Sequence, residues 1–263
     1  MNTHDLLDAV TRIALDAGRE ISRIYESDFA VQSKGDDSPL TEADLAAQRC
    51  IAAGLAALTP EVPLISEESP LAPHAERRLW PRYWLIDPLD GTREFIKRNG
   101  EFTVNIALIE AGQPVLGVVH APALDVTYSA ARGLGSYKGL GSERVALRTR
   151  TLPARPVFLV SRSHRDPRLE AFLARAPAHD ADSVGSSLKF CRVAEGIADL
   201  YPRLGPTSEW DTAAAQCVLE VAGGAVLRLP DLQPLDYNGK DSILNPEFIA
   251  VGDRSADWRA LFG

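Results

Sequence analysis

Apolar residues recur at steps of three and four at the start of the chain and predict an amphipathic helix over residues 5–25. The residues that set this period are Leu6, Val10, Ile13, Ala17, Ile21 and Ile24. The next stretch, QSKGDDSPLTEAD (32–44), is polar and typical of a loop. Thr41 predicts the start of a second helix through ADLAAQRCIAAGLAAL, because Thr41 and Asp44 have the spacing of a capping box.

Short apolar runs after the second helix predict a sheet. VPLIS (62–66) and RYWLID (82–87) have the length and composition of strands. TVNIALIEAGQPVLGVVHAP (103–122) predicts two strands joined by a turn at residues 112–114. The glycine-rich segment GLGSYKGLGS (133–142) is typical of a hairpin or a loop.

The second half of the chain alternates between strand and helix patterns. Strands are predicted at VFLVS (157–161), DLYPR (199–203), GAVLRL (224–229) and FIAVG (248–252), and helical patterns at RLEAFLA, SLKFCRVAEGIA and WDTAAAQCVLEVA. This alternation predicts an α/β architecture. We therefore expect a single compact unit of two lobes, an N-terminal α+β lobe over residues 1–145 and a C-terminal α/β lobe over residues 146–263.

Charge and cysteine content narrow the class of protein. The 263 residues carry 28 Lys+Arg against 36 Asp+Glu, a formal net charge of −8, which disfavours binding to nucleic acid polymers. The three cysteines lack metal-ligand spacing and are expected to be reduced. The N-terminal segment lacks the pattern of a secretory signal, and no apolar run reaches the length of a membrane span. We expect a cytoplasmic protein without a transmembrane segment and leave peripheral association with the inner membrane open.

Two closely spaced acids, Asp87 and Asp90, follow the RYWLID strand. Adjacent carboxylates repel each other unless they share a cation or a proton, and Mg²⁺ and Mn²⁺ favour such oxygen ligands. Gly91 and Thr92 come next and offer backbone amides and a hydroxyl to an anion. An Asp-rich turn that caps a helix would have the same local pattern, so both interpretations stay open on this segment alone.

Further acids lie at other predicted element ends. Glu67 and Glu68 follow VPLIS, and their side chains would meet those after RYWLID if the two strands are neighbours. Asp211 opens the helical run WDTAAAQCVLEV, where a helix cap is the alternative interpretation. Asp44 likewise has its alternative role in the capping box.

Three segments together, SEE (66–68), DPLDGTREF (87–95) and EWDTAA (209–214), resemble the signatures of the inositol monophosphatase superfamily, metal-dependent and lithium-sensitive phosphatases. KGDDSPLTEAD and GSSLKFCRVAEG resemble the branch of that superfamily that acts on bisphosphate nucleotides. The resemblance implies the five-layer αβαβα sandwich, a combined α+β and α/β fold, of the inositol monophosphatase and fructose-1,6-bisphosphatase type.

The resemblance also implies a metal site. Glu67, Asp87 and the carbonyl of Leu89 would bind one Mg²⁺, and Asp87, Asp90 and Asp211 a second, with a weaker third ion near Glu67. Mn²⁺ would substitute, and Li⁺ and Ca²⁺ would inhibit. Thr92 and Asp44, assisted by Glu67, would orient and deprotonate the attacking water.

Substrate contacts follow from the same resemblance. The amides of Gly91 and Thr92 would hold the phosphate that is cleaved, and Lys34 would balance charge near the metals. Ser186, Lys189 and Arg203 would bind the second phosphate or the ribose; spacing alone is also compatible with a capped helix and a solvated lysine. The remaining residues expected at the substrate are Glu67, Leu89, Asp90 and Asp211.

The expected reaction is hydrolysis of the 3′-phosphate of adenosine 3′,5′-bisphosphate to AMP and phosphate, in sulfur assimilation or nucleotide recycling, with the 5′-phosphosulfate form as a further substrate. An inositol monophosphatase or another sugar-phosphate phosphatase is the alternative within the superfamily. A phosphate- or nucleotide-sensing protein is the non-enzymatic alternative. A haloacid-dehalogenase-type phosphatase is disfavoured, because its acids are two residues apart and Asp87 and Asp90 are three apart. Monomer and homodimer both stay open.

Overall fold

Two β-sheets and the helices on their faces make up the part of the chain that the computed structural model describes, residues 1–28, 30–33, 39–163 and 166–261. Besides the sheets there is a short antiparallel pair, β1 (Val31–Ser33) with β2 (Pro39–Thr41). The α-helices of the described residues are α1 (Thr3–Tyr25), α2 (Glu42–Leu58), α3 (His74–Arg77), α4 (Thr92–Ile96), α5 (Pro167–Arg175), α6 (Leu188–Ala194) and α7 (Ala213–Val221). Turns of 3₁₀ helix lie at Pro122–Leu124, Gly141–Glu143, Glu209–Asp211 and Trp258–Leu261.

The first sheet has seven strands in sequence order. These are β3 (Leu64–Ser66), β4 (Arg82–Asp90), β5 (Thr103–Glu110), β6 (Gln113–Ala121), β7 (Val126–Ala131), β8 (Gly135–Lys138) and β9 (Val145–Ala146). β3 and β4 are parallel, and each later neighbour is antiparallel to the one before. Because β3 and β4 run in the same direction, the residues after both strands lie at one edge of the sheet.

The second sheet has five strands in the order β11-β10-β12-β14-β13. Their bounds are β10 (Val157–Ser161), β11 (Asp180–Val184), β12 (Leu200–Arg203), β13 (Ala225–Arg228) and β14 (Phe248–Val251). β11, β10 and β12 are parallel, whereas β14 is antiparallel to both β12 and β13. The sheet is therefore mixed.

Alternation along β5 shows how the layers are built. Val104, Ile106 and Leu108 join the core formed with α1 and α2, whereas Ala107 and Ile109 join the core formed with α6 and α7. Successive side chains of a strand point to opposite faces, so one strand supplies both cores. A third core packs α5 and Trp258 on the outer face of the second sheet. The order of layers is helix, sheet, helix, sheet, helix, as the sandwich interpretation requires.

Most of the periodic segments have the predicted type. The first helix starts two residues earlier than predicted, the second helix has the Thr41–Asp44 capping box, and β10 has the predicted bounds. Three predictions were wrong in part. β1 and β2 overlap a stretch interpreted as loop, β6 already begins at Gln113, and β7, β9 and β11 were not predicted. β7 mixes small and polar residues, and the first three residues of β11 are exposed, so neither has a continuous apolar signal.

Other predictions have mixed outcomes. The three cysteines are free thiols, two of them buried, as expected. No helix within the described residues combines the length and apolar character needed to cross a bilayer. The first sheet ends at Ala146 and the second begins at Val157. The division into lobes at residues 145 and 146 stays a prediction, and the expected site residue Lys34 lies outside the described residues.

Gly117 on β6 lies where the first sheet packs tightly against α7. A Cβ at this position would lie 2.3 Å from the backbone oxygen of Ala214 and 2.8 Å from Cβ of Cys217. A backbone atom cannot rotate away as a flexible side chain can, so only glycine lets the helix lie this close to the strand.

Gly117→Ala should therefore destabilise the protein by about 1–3 kcal/mol, the usual range for overpacking a core. The measurement is the free energy of unfolding in urea. Gly239→Ala is the matched control, because its added Cβ would meet only Asp236 Oδ2, at 3.9 Å, and its free energy of unfolding should stay near that of the wild type. Equal stability of Gly117→Ala and the control would contradict the tight contact.

Candidate active site

A β-bulge in β4 determines where its two aspartates lie. Asp87 pairs with Asn105 of β5, and Asp90 pairs with Thr103, so three steps along β4 match two steps along β5. In a regular strand, residues three apart point to opposite faces, and the one extra residue offsets this difference. Pro88 lies inside the bulge, where its missing N–H breaks no ladder hydrogen bond. The bulge thus lets both carboxyl groups reach one site.

Glu67 enters the same region from β3. β3 pairs in parallel with β4, with Ser66 opposite Ile86, so Glu67 and Asp87 follow at the same edge. The side chains of Glu67 and Asp87 share a hydrogen bond, and the Glu67 amide donates to the Ile86 carbonyl at 3.4 Å. The structure therefore brings together the acidic ends of the two strands.

Asp211 reaches the site from the second half of the chain, at the end of the 3₁₀ turn Glu209–Asp211. Its carboxyl group forms a capping box with Ser208, whose amide donates to Oδ2 at 2.8 Å. The same group lies close enough to Asp87 and Asp90 to interact electrostatically with both. The capping interpretation is therefore correct, and the same residue also lies beside the acids of β4.

The surroundings of these acids disfavour their charged forms. Burial raises the pKa of Asp87 well above its usual value, and the charges of Glu67, Asp90 and Asp211 raise it further. Burial, followed by the charges of Asp90 and Glu67, likewise raises the pKa of Asp211. Burial raises the pKa of Asp90 to about 6, although Lys189 and the Ser187 amide act in the opposite direction. Such a cluster is stabilised by a shared proton or by a cation.

The donor set fits a hard divalent cation in its chemistry. Among the described residues, no three acidic, histidine or cysteine side chains stand ready as a closed metal cage. One carboxylate oxygen of each aspartate accepts a hydrogen bond from a backbone amide. The amide of Leu89 donates to Asp87 (3.0 Å), that of Ser187 to Asp90 (2.5 Å) and that of Ser208 to Asp211 (2.8 Å). Mg²⁺ and Mn²⁺ favour oxygen ligands, and a cation between these acids would relieve their mutual repulsion.

Thr92 and Asp44 form a pair beside these acids. The Thr92 hydroxyl lies 3.3 Å from Asp44 Oδ1 and 3.3 Å from the Leu89 carbonyl. Asp44 is 1% exposed, and its other oxygen accepts the amide and the hydroxyl of Thr41 at 2.7 Å each. The capping box therefore fixes a carboxylate whose remaining oxygen points at Thr92.

The turn at residues 185–187 packs on Gly91. Gly91 has φ +91°, and a Cβ there would lie 3.1 Å from the Glu101 carbonyl and 3.4 Å from Cβ of Ser186. Ser187 donates its amide to Asp90, and its hydroxyl contacts Thr103 and Asn105. Ser186 adopts φ +48° in this turn. A larger residue than glycine at position 91 would push the turn away from the acids.

All the expected substrate residues except Leu89 line one cleft of about 250 Å³, and Lys189 and Arg203 are its expected cations. Lys189 is 4% exposed and donates Nζ to the carbonyls of Val184 (3.1 Å) and Ser186 (2.7 Å). Arg203 donates to the carbonyls of Gly205 and Pro206 and to the hydroxyl of Ser161. These bonds leave one N–H of the lysine and two of the arginine for other partners. The alternative interpretation of Lys189 as a solvated lysine is wrong, since Lys189 is buried.

Two further cations line the cleft that the sequence analysis did not single out, Arg93 and Arg162. Arg162 pairs with Glu101 through Nε at 2.6 Å and through a second nitrogen at 2.8 Å. Arg93 is exposed, and its side chain makes no hydrogen bond or ion pair with the other described residues. It also lines an adjoining cleft of about 840 Å³. Its position directly after Thr92 in DPLDGTREF was the signal that could have identified it.

The chain is similar to proteins of one known family over most of its length. The model of the inositol monophosphatase family matches residues 2–255. The 3′(2′),5′-bisphosphate nucleotidase CysQ of Escherichia coli K12 is 51% identical over 249 residues, covering 92% of this chain and 98% of the relative. CysQ of Haemophilus influenzae is 40% identical and covers 100% of this chain and 98% of the relative.

Solved structures agree with the sequence comparison. CysQ from Bacteroides thetaiotaomicron, a bacterial member of the inositol monophosphatase family, superposes with a TM-score of 0.84 at 40% identity, covering 96% of this chain and 99% of that chain. An inositol monophosphatase from Zymomonas mobilis superposes with a TM-score of 0.80 at 27% identity, covering 100% and 98% of the two chains. The predicted fold class is confirmed.

Asp90→Asn tests the repulsion within the acid cluster. An amide oxygen can still accept the Ser187 N–H, so the fold should persist. Because the pKa of Asp90 rises from 3.8 to about 6 on folding, its charge destabilises the metal-free wild type increasingly between about pH 4 and pH 6. At pH 8 the variant should be more stable without metal by up to about 3 kcal/mol, at about 1.4 kcal/mol per pKa unit, and the two proteins should converge below pH 4.

The measurement is urea unfolding of both proteins in chelator at several pH values. The variant should also lose most metal-dependent activity, because the charge of an expected metal ligand is gone. Unchanged stability at pH 8 would contradict the electrostatic cluster, and wild-type turnover at saturating Mg²⁺ would contradict the role of Asp90 as a ligand.

Proposed function

This chain belongs to the inositol monophosphatase family, and we propose that it is a metal-dependent 3′(2′),5′-bisphosphate nucleotidase that converts adenosine 3′,5′-bisphosphate to AMP and phosphate. The observation that carries the reaction type is the convergence of Glu67, Asp87, Asp90 and Asp211 beside the Thr92–Asp44 pair. The relatives that are 40–51% identical support the substrate class.

The proposed metal ligands follow the acid cluster. One Mg²⁺ would be held by Glu67, Asp87 and the Leu89 carbonyl. A second would be held by Asp87, Asp90 and Asp211, and a third would bind more weakly near Glu67. Mn²⁺ suits the same oxygens. Bound there, the ions would lower the pKa of water and neutralise charge on the phosphoryl group. They would also reverse the sign of a site that otherwise repels a phosphate.

The Thr92–Asp44 pair provides a route for the proton of the attacking water. The Thr92 hydroxyl can donate to Asp44 Oδ1 while its lone pair accepts a proton from water, with Glu67 assisting. Asp44 is suited to accept the hydrogen bond of the Thr92 hydroxyl, because Thr41 holds the other carboxylate oxygen of Asp44 in place. Water oxygen then bonds to phosphorus, the bond from phosphorus to the ester oxygen breaks, and that oxygen takes a proton to become the 3′-hydroxyl.

Binding of the substrate uses both sides of the cleft. The amides of Gly91 and Thr92 would hold the phosphate that is cleaved. Ser186, Lys189 and Arg203 would contact the second phosphate or the ribose, and the backbone carbonyls that already hold the two cations keep them in one conformation. A substrate would therefore find these donors already ordered, which lowers the entropy lost on binding.

The proposed reaction also suggests a metabolic role for the protein. Turnover of adenosine 3′,5′-bisphosphate, and of its 5′-phosphosulfate form, would connect the protein to sulfur assimilation or nucleotide recycling. A cytoplasmic location and a monomeric or homodimeric state stay predictions. An inositol monophosphatase and a phosphate- or nucleotide-sensing protein are the outcomes that the two following experiments separate from the proposal.

Phosphate release should require Mg²⁺ and fall to background in chelator. Li⁺ and excess Ca²⁺ should inhibit, because both would occupy oxygen sites without supporting the reaction in the way Mg²⁺ does. The assay measures phosphate released from adenosine 3′,5′-bisphosphate with and without each ion. Full turnover in chelator would contradict the metal-dependent mechanism, and binding of the nucleotide without any turnover would favour the sensing protein.

Arg203→Ala and Lys189→Ala test recognition of the phosphate that is not cleaved. Loss of a hydrogen bond to a charged group should lower kcat/KM for the bisphosphate nucleotide, which corresponds to a loss of roughly 1.5–3 kcal/mol in transition-state stabilisation. The kcat/KM for inositol 1-phosphate should change much less. Lys189→Ala also removes two backbone hydrogen bonds, so a smaller loss common to both substrates should accompany the selective one.

Arg155→Ala is the control, since Arg155 is exposed and pairs with Asp180 away from the cleft. The three proteins and the wild type are assayed on adenosine 3′,5′-bisphosphate, inositol 1-phosphate and fructose 1,6-bisphosphate. Equal losses on all substrates would mean that Lys189 and Arg203 support only the fold or the acids. Preference of the wild type for inositol 1-phosphate would overturn the nucleotidase assignment.

A further inference from the structure

Arg77 is a fully buried cation on the segment that joins β3 to β4. One terminal nitrogen donates to the side-chain oxygen of Asn238, and the other donates to the carbonyls of Lys240, at 3.0 Å, and Asp241. Burial of a guanidinium is unfavourable unless its donors are satisfied, and these bonds satisfy its two terminal nitrogens, whereas Nε has no partner among the described residues. Arg77 therefore fixes a loop more than 160 positions away against the segment between the strands that precede Glu67 and Asp87.

Asn238 passes this constraint to the segment that carries Asp211. Its side-chain amide donates to the Arg77 carbonyl at 2.7 Å, and its backbone amide donates to both carboxylate oxygens of Glu209, at 3.1 and 2.9 Å. Glu209 is 2% exposed and begins the 3₁₀ turn that ends at Asp211. The contacts are thus continuous from Arg77 through Asn238 to a residue two positions from the acid.

The same loop holds the turn at other points. The Glu209 amide donates to the Ile243 carbonyl at 2.9 Å. Asn245 donates its side-chain amide to the Ser208 carbonyl at 2.7 Å and to the Thr212 hydroxyl at 3.1 Å. The backbone on both sides of Asp211 is therefore tied to the loop, whereas the Asp211 carboxyl group accepts only the amide of Ser208 among these bonds.

We propose that Arg77, Asn238 and Glu209 form a positioning network that sets the distance of Asp211 from the acids of β3 and β4, and thereby the affinity of the site for a divalent cation. The inference rests on the proposed function, which takes these acids as the metal ligands. β4 supplies Asp87 and Asp90, but Asp211 is on a separate part of the chain, so its placement depends on contacts between the two. Loss of groups that orient ligands typically weakens metal affinity by 10–100-fold.

Asn238→Gly isolates the link to Arg77. Glycine accommodates the φ of +60° at this position and keeps the backbone amide that donates to Glu209, but it removes the side chain that contacts Arg77. Glu209→Gln is the second variant, because it keeps an acceptor for the Asn238 amide and removes the negative charge. Asp199→Asn is the matched control, a buried carboxyl paired with Arg150 at 2.8 and 2.7 Å and absent from the cleft lining.

The experiment is calorimetric titration of Mn²⁺ into each metal-free protein, with urea unfolding of the same samples and the Mg²⁺ dependence of turnover. Asn238→Gly should bind Mn²⁺ at least 10-fold more weakly, and its turnover should recover at high Mg²⁺. Glu209→Gln should show a smaller loss in the same direction, and it carries the test if Asn238→Gly fails to fold. Asp199→Asn should lose stability while keeping wild-type Mn²⁺ affinity.

Wild-type affinity in folded Asn238→Gly or Glu209→Gln would overturn the network. An equal loss of affinity in Asp199→Asn would also overturn it, because the effect would then follow general stability. Absence of Mn²⁺ binding by the wild type would instead overturn the proposed function, and the network with it. The two failures are therefore distinguishable.

Discussion

Carboxyl groups of like charge, buried close together at the end of β4, are the constraint on which the surrounding structure depends. Burial raises the pKa of Asp87, and Glu67, Asp90 and Asp211 raise it further. The protein supplies one backbone amide to each aspartate and one buried cation, Lys189, which lowers the pKa of Asp90. These groups only partly offset the repulsion. In the proposed function a divalent cation would complete the balance, so the features that destabilise the metal-free site are the ones that would give it metal affinity.

The bulge in β4 and the middle helical layer convert this local repulsion into a three-dimensional site. In a regular strand, residues three positions apart such as Asp87 and Asp90 would point to opposite faces of a sheet that has a core on each side, and the bulge removes this difference. Asp211 precedes α7, which packs on the first sheet so closely that only glycine fits at position 117. The close packing of sheet and helix therefore serves stability, and it also keeps an acid from the second half of the chain near those of the first.

Local patterns predicted what local physics determines. The apolar period of α1, the capping box of α2 and the run of β10 each lie within one segment, and each was recovered. The acids Glu67, Asp87, Asp90 and Asp211 were likewise named from short motifs, and the structure brings them together. The sequence did not predict the bulge, the hydrogen bonds from Lys189 to backbone carbonyls or the Arg77–Asn238–Glu209 contacts. These features depend on strand register or on the folded backbone, or join residues far apart in the chain. β11 was missed since an exposed edge strand needs little apolar sequence.

An acidic chain that handles an anionic nucleotide must attract it locally. The net charge of −8 acts over long distances, but charges beyond about 8–10 Å are largely screened at physiological salt. Arg93, Arg162, Lys189 and Arg203 all line one cleft, and carbonyl or carboxylate oxygens already immobilise three of them. In the proposed function these cations would bind a second phosphate next to the acids that would hold the metal. Substitutions that change which substrate is bound therefore also act on the acids, because the Ser187 amide donates to Asp90, Lys189 lowers the pKa of Asp90 and Arg203 lowers that of Asp211.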